Sequence, residues 1–125
     1  MARSEESLKK ALEMLKEVRK QFDTCVRVPG TKEGLNVELD KAIHLRDFIT
    51  MGELMAYDAL ERNESCGGHF REESQTEDGE AKRDDENFMY VACWKYAGSD
   101  EAIPELLKED LNYQYIKVQT RNYKS

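Results

Sequence analysis

Between Asn36 and Asn63 the chain carries apolar side chains around most of a helical circumference, and this constrains the fold more than any other stretch. Leu39, Ile43, Leu45, Phe48, Ile49, Met51, Leu54, Met55, Ala59 and Leu60 leave room for one polar stripe, formed by Asp40, His44, Asp47, Thr50, Glu53, Tyr57 and Glu61. A helix apolar over so wide an arc needs neighbours on more than one side. Asn36 is placed to cap it, and its length is unusual for a globular domain.

One neighbour is legible upstream. From Ser4 to about Thr24 the spacing predicts a first helix: Leu8, Ala11, Leu15, Val18, Phe22 and Cys25 recur at three- and four-residue steps and form a narrow apolar seam. Ser4 can cap its free N–H groups, and Glu5 and Glu6 complement the positive end of the dipole. Val28-Pro29-Gly30 then stops the helix, because Pro lacks a donor and Gly permits a sharp reversal. A helical hairpin follows, and helix one alone cannot cover helix two.

Past the helices the period changes to two. Phe88, Tyr90, Ala92, Trp94 and Tyr96 alternate with Met89, Val91, Cys93 and Lys95, which predicts a strand with an aromatic face. Leu111, Tyr113 and Tyr115 alternate with Asn112, Gln114 and Ile116, predicting a second strand that ends near Val118. Between them Pro104 interrupts the chain, and Glu105-Leu106-Leu107-Lys108 is expected to form a helical turn. Two strands are marginal alone, so the aromatic face should pack on the helices or on a partner.

Charge and cysteine usage exclude several classes. Residues 61 to 86 hold ten acids against four bases, so −6 of the net −7 lies in that segment, opposite to the basic stripe that nucleic-acid binding requires. Ser74 to Glu86 is then a solvated acidic loop. Cys25, Cys66 and Cys93 are odd in number and scattered, which disfavours a disulfide framework and fits a reducing, cytoplasmic compartment. No stretch approaches the ~20 apolar residues of a membrane span, and the start of the chain has no apolar run of signal-peptide type.

Glu64-Ser65-Cys66-Gly67-Gly68-His69-Phe70-Arg71-Glu72-Glu73, followed by Arg83-Asp84-Asp85-Glu86-Asn87-Phe88, is the densest group of chemistry-bearing residues. Cys66 and His69 have Cys-x-x-His spacing, but a structural zinc site needs four ligands, and Cys25, Cys93 and His44 lie in unlike elements. A Cys–His nucleophilic pair lacks an orienting third group. Gly67-Gly68 follows a helix rather than a strand and is surrounded by acids that repel phosphate. Structural roles account for these residues better: the glycines let the chain leave helix two, Glu64 and Arg71 can pair, and His69 can hydrogen-bond across the turn. His44, in helix two's polar stripe, is a surface or interface histidine, and Tyr57 and Trp94 are packing residues with polar tips.

The two blocks resemble the C-terminal region of the flavoprotein subunit of succinate dehydrogenase and fumarate reductase, whose usual forms are E-S-R-G-x-H-x-R-x-D and, about a dozen residues later, R-x-D-[DE]-x-[NF]. Glu64, Ser65, Gly67, His69 and Arg71 stand in register, and Cys66 takes the place where most members have Arg. The resemblance implies a mainly α fold: two helices of the family's three-helix, spectrin-repeat-like bundle, the chain beginning after the first, and then an extended tail. It implies residues 1–64 as the helical hairpin and 65–125 as motif turn, acidic loop and β tail packed into one C-terminal domain. Glu64, Ser65, Cys66, Gly67, Gly68, His69, Arg71, Arg83 and Asp84 are expected to form a structural or docking motif, with no catalytic, cofactor-binding or metal residue in this chain.

In the family the flavin-binding Gly motif, the flavin-carrying histidine and the dicarboxylate-handling Arg and His residues lie upstream of the matching region. The parent enzyme, as the resemblance implies, interconverts succinate and fumarate with FAD and exchanges electrons with an iron–sulfur subunit and quinone, peripheral on the cytoplasmic side of the bacterial inner membrane. The tail after Arg83 favours these respiratory enzymes over the related aspartate oxidases. The chain by itself is expected to bind no FAD, to be inactive, to dock on the flavin-binding and capping domains, and when isolated to self-associate through helix two. The alternative is an independent dimeric helical adapter whose acidic segment meets a basic partner.

Overall fold

A computed structural model describes residues 2–31 and 33–120. The order of elements is α1 (Glu5–Cys25), α2 (Val37–Glu61), the short α3 (Asp85–Phe88), β1 (Tyr90–Lys95) and β2 (Glu105–Asp110). The two long helices form a hairpin and the two strands an antiparallel pair.

Both expected caps are present. The Ser4 hydroxyl accepts from the Ser7 N–H at 3.2 Å while the Ser7 hydroxyl accepts from the Ser4 N–H at 3.0 Å, a reciprocal box that satisfies two donors at the start of α1. Asn36 accepts from the Leu39 N–H at 3.1 Å to start α2, and its amide donates to the Pro29 carbonyl at 3.2 Å. The Pro29 turn and the α2 cap are thereby tied together. Gly30 sits at φ +111°, where a side chain would be strained and a Cβ would meet the Asn36 amide at 2.7 Å.

The α1 seam is shifted from the expected one. Leu8 and Leu12 are buried, with Ala11, Leu15 and Phe22 half-buried, but Val18 and Cys25 are exposed and Arg19 is buried instead. Arg19 donates to Glu53 of α2 at 2.6 Å and to the Thr50 hydroxyl at 3.3 Å. An ion pair therefore occupies the middle of the helix–helix contact, and its neighbours on α2 are the buried Ile49 and Ala56. The apolar period could not reveal this, because Thr50 and Glu53 turn toward α1 while Asp40, His44, Asp47 and Glu61 of the same expected stripe are exposed.

Two strand expectations are corrected. The second strand is Glu105–Asp110, so the segment expected as a helical turn is the strand. The register places Trp94 opposite Leu106 and Lys95 opposite Glu105, and Lys95 and Glu105 form an ion pair at 3.1 Å. Pro104, unable to donate, leads an extended chain into this ladder. The segment expected as a strand makes a single ladder-like bond, from the Leu111 N–H to the Met89 carbonyl at 3.0 Å. Beyond it Tyr113, Tyr115 and Ile116 are exposed. Phe88 closes α3, so β1 starts two residues later than its aromatic alternation suggests.

The aromatic face of β1 packs within the chain. Tyr90 is buried, and the Trp94 indole N–H donates to the Asp58 carboxylate at 2.9 Å while its ring lies 6.2 Å from Tyr57. The hairpin thus covers one flank of α2. The flank holding Phe48, Met51 and Met55 stays exposed, whereas Leu60, expected in that open arc, is half-buried.

Candidate functional site

Helix α2 ends with no basic residue in its last turn, so its free carbonyls need donors from elsewhere. Arg71 supplies them from ten residues past the helix. The residue is only 1% exposed, and its guanidinium donates to the Ala59 carbonyl at 2.9 Å, to the Leu60 carbonyl at 3.2 Å and to the Glu73 carboxylate at 3.1 Å.

Ser65 fixes the backbone of Arg71. It is fully buried, and its hydroxyl accepts from the Arg71 N–H at 2.8 Å and donates to the Arg71 carbonyl at 3.2 Å. One hydroxyl thus stands in for a strand partner on both sides of the peptide. The Ser65 N–H donates to the Lys82 carbonyl at 2.9 Å, and Ser74 closes the loop by donating from its hydroxyl to the Asn63 carbonyl at 3.2 Å. The first part of the acidic segment is therefore pinned, with Ser74 buried, rather than a free loop.

Cys66 and His69 face each other across a tight turn through two backbone bonds of 2.8 and 3.0 Å. Gly67 adopts φ +58°, the left-handed conformation the turn requires, whereas Gly68 does not have positive φ. His69 is held at both ring nitrogens, with Nδ1 3.1 Å from the Arg3 guanidinium and Nε2 2.8 Å from the Arg62 carbonyl. Since Arg can only donate, Nδ1 accepts and Nε2 carries the proton. Arg3 also brackets the motif by backbone bonds, donating to the Phe70 carbonyl at 3.0 Å and accepting from the Glu72 N–H at 2.8 Å.

The expected Glu64–Arg71 pair does not form. Glu64, buried, accepts from the Arg62 guanidinium at 2.8 Å and from the Asp84 N–H at 2.9 Å. Arg71 is drawn the other way by the helix carbonyls. Arg62 lies over Tyr90, 4.9 Å from the ring centroid, and donates to the Phe88 and Tyr90 carbonyls at 3.0 and 3.2 Å. Asp84 caps α3 by accepting from the Asn87 N–H at 3.2 Å, and Arg83 pairs with Asp85 and donates to the Gln119 carbonyl at 2.9 Å. The two motif blocks are thus joined through Glu64, and Cys66 contributes its backbone while its side chain is exposed.

Reasoning from sequence missed Arg62, Glu73 and Arg3. Arg62 had a signal in its place at the end of a helix one residue before Asn63-Glu64, but Arg3 had none, being separated from His69 by the whole helical hairpin. The Glu73 carboxyl is held well below the ordinary 4.5, at about 2, first by the hydrogen bond from the Glu5 N–H and then by its own N–H and Arg71. It clasps the start of α1 to the loop after α2.

Chemically this is a closed knot. The donors and acceptors of Glu64, Ser65, His69 and Arg71 are aimed at the chain's own backbone and side chains. Among the described residues no cluster of three or more His, Cys, Asp or Glu side chains is placed to hold a metal, and no helix is long and apolar enough to cross a membrane. A small cavity of about 100 Å³ lies elsewhere, lined by Arg19, Glu53, Tyr57 and Trp94 among others, and it shares none of the motif residues.

Comparison with known proteins agrees with this architecture. The family model "Fumarate reductase flavoprotein C-term" matches residues 1–123. The fumarate reductase flavoprotein subunit of Escherichia coli strain K12 is 33% identical over 87 residues, which are 70% of this chain and 14% of that protein. The subunit of the same name from a Serratia species is 28% identical over 121 residues, 97% of this chain and 19% of that protein. An E. coli quinol fumarate reductase FrdA variant superposes with a TM-score of 0.77 at 27% identity, covering 95% of this chain and 19% of that one. A quinol-fumarate reductase solved with menaquinol molecules gives a TM-score of 0.72 at 27% identity, covering 93% of this chain and 19% of that one. The chain therefore spans less than a fifth of the length of these relatives. Two long helices, an antiparallel strand pair and a match along nearly the whole sequence place this chain in the C-terminal domain family of the fumarate reductase and succinate dehydrogenase flavoproteins.

Proposed function

We propose that this chain is the structural C-terminal domain of a flavoprotein subunit that interconverts succinate and fumarate with FAD. In that reading residues 1–64 form the helical hairpin and 65–125 the motif turn, acidic loop and β tail of one domain. It buttresses the flavin-binding and capping domains of the parent chain. The parent exchanges electrons with an iron–sulfur subunit and quinone from the cytoplasmic side of the membrane.

The observation that carries this reading is the buried Arg71, whose guanidinium terminates α2 instead of facing a substrate. Glu64, Ser65, Cys66, Gly67, Gly68, His69, Arg71, Arg83 and Asp84 then act as a clasp that fixes the end of the helical hairpin against the β tail. The clasp offers neither an acid–base pair nor an electrophilic anchor for a dicarboxylate. The open outer flank of α2 is the one feature that favours the adapter alternative, and it is compatible with the first reading as well.

Purified chain should show no flavin absorbance after expression in a flavin-replete host and should not reduce fumarate with an artificial electron donor. A yellow preparation, or turnover, would overturn the assignment of a purely structural role.

A further inference from the structure

The chain's two histidines are set in opposite surroundings. His44 is exposed on α2, its Nδ1 2.8 Å from the Asp40 carbonyl and 3.7 Å from the Asp40 carboxylate, and the carbonyl first and the carboxylate second raise its pKa. His69 is half-buried between two segments that the whole helical hairpin separates. Its Nε2 donates to the Arg62 carbonyl, and its Nδ1 accepts from the Arg3 guanidinium, which also lies 3.5 Å from the Gly68 carbonyl. Among the described residues no carboxylate comes within ion-pair distance of this ring. The charged and titratable groups around it are Arg3 before α1, Arg62 and Glu64 at the end of α2, Cys66 in its own turn, and Glu72 and Glu73 in the loop that follows. Glu64 is engaged by Arg62 and the Asp84 N–H, Glu73 by Arg71 and the Glu5 N–H, and Glu72 is exposed, so none serves the ring as a counter-ion.

We propose that His69 is a proton-operated latch on the segment that enters α1. With Nδ1 bare, the ring holds Arg3 on the motif turn; a proton there sets an N–H against a guanidinium that can only donate, and the guanidinium leaves. Two backbone bonds, from the Arg3 N–H to the Phe70 carbonyl and from the Glu72 N–H to the Arg3 carbonyl, then lose the side chain that clamps them. Glu5 stays fastened, because the Glu73 carboxylate that accepts from its N–H at 2.6 Å, with its pKa lowered to about 2, remains charged throughout the range in which imidazoles titrate. The opening is thereby confined to residues 2–4. This inference deepens the clasp reading and rests on it: acid frees the polypeptide that enters α1 while Ser65 and Arg71 keep the end of α2 closed.

Amide protection in the 125-residue chain, corrected for the intrinsic effect of pH on exchange and followed together with the imidazole NMR signals, tests the latch. Between about pH 8 and about pH 5 the Arg3 and Glu72 N–H groups should lose protection about tenfold or more in step with His69 protonation, while those of Ser65 and Arg71 stay unchanged. Constant protection of Arg3 and Glu72 beside a protonated ring, or a ring that stays neutral down to about pH 5, would overturn the proposal. Ser65 and Arg71 amides already open at about pH 8 would instead refute the clasp itself. His69→Gln offers both an acceptor and a donor at every pH and should abolish the step; a step that persists would belong to a carboxylate and overturn the latch. Arg3→Met leaves the turn and the ring in place, and should give Glu72 at about pH 8 the low protection that the wild type reaches at about pH 5. Wild-type protection in that variant would show that the guanidinium clamps nothing, which also overturns the proposal.

Discussion

The most completely buried side chains among the described residues belong to an arginine and a serine, whereas a phenylalanine and two methionines on the central helix are exposed. Around Arg71 the chain is polar, acidic and rich in glycine, yet Glu64, Ser65, Arg71 and Ser74 are buried and hydrogen-bonded to neighbouring groups. Along the outer flank of α2 the composition is that of a core, yet its side chains are exposed. Burial here follows hydrogen-bond closure more than hydrophobicity. A buried guanidinium is tolerable only because helix carbonyls and a carboxylate surround it, and removing it would leave those acceptors unpaired.

Arg71→Met should break that contrast most severely. It leaves the Ala59 and Leu60 carbonyls without their donor and frees Glu73, so we expect a loss of about 3 kcal/mol in chemical denaturation, a large share of the ~5–15 kcal/mol typical of a domain. A loss below ~1 kcal/mol would mean that water replaces the guanidinium at no cost. The two glycines of the turn sharpen the same point. Gly67→Val forces a β-branched residue into φ +58° and should cost about 1–3 kcal/mol, whereas Gly68→Val enters open space without positive φ and should cost under ~1 kcal/mol. Equal melting temperatures for the two variants would remove the special status of Gly67.

A smaller effect is expected from Glu73. Its folded-state pKa is depressed below the ordinary value, so the clasp's contribution is present above about 4.5 and is lost as pH falls toward about 2. Acid unfolding of the wild type should show a stability decline across that window, and Glu73→Gln should flatten it. An identical acid profile would show that Glu73 carries no linkage. The smallest change belongs to the other region: Met55→Gln, measured where the chain is dilute and monomeric, should alter stability by no more than ~0.5 kcal/mol, because the side chain is already hydrated. A loss above ~1 kcal/mol would reveal an intrachain contact on that flank.

How far the sequence disclosed this arrangement depends on the range of the interactions. Ser4 and Asn36 as caps and the Pro29-Gly30 reversal are local patterns that appear where their spacing predicts them, and the aromatic face of β1 does so at Tyr90 and Trp94 while Phe88 and Tyr96 fall outside the strand. The second strand was misplaced because Leu111–Val118 alternates better than Glu105–Asp110, but pairing is decided by which segment reaches β1 after the Pro104 turn. Arg19 looked like one more surface base on α1. Its burial depends on Glu53 and Thr50 arriving from α2, which no period on α1 encodes. The motif's residues were legible as a group, while their partners were not: Arg71 and Glu64 carry opposite charges seven residues apart, and only the free carbonyls at the end of α2 draw Arg71 away.

Amide hydrogen exchange bears most directly on the view that the motif is a structural clasp. The N–H groups of Ser65 and Arg71, bonded to the Lys82 carbonyl and the Ser65 hydroxyl, should exchange only through global unfolding and rank with the slowest amides of α2. Amides of residues 112–118, whose side chains lie mostly in solvent, should exchange orders of magnitude faster. If Ser65 and Arg71 exchanged as fast as that tail, the polar knot would be an open loop and the account would fail.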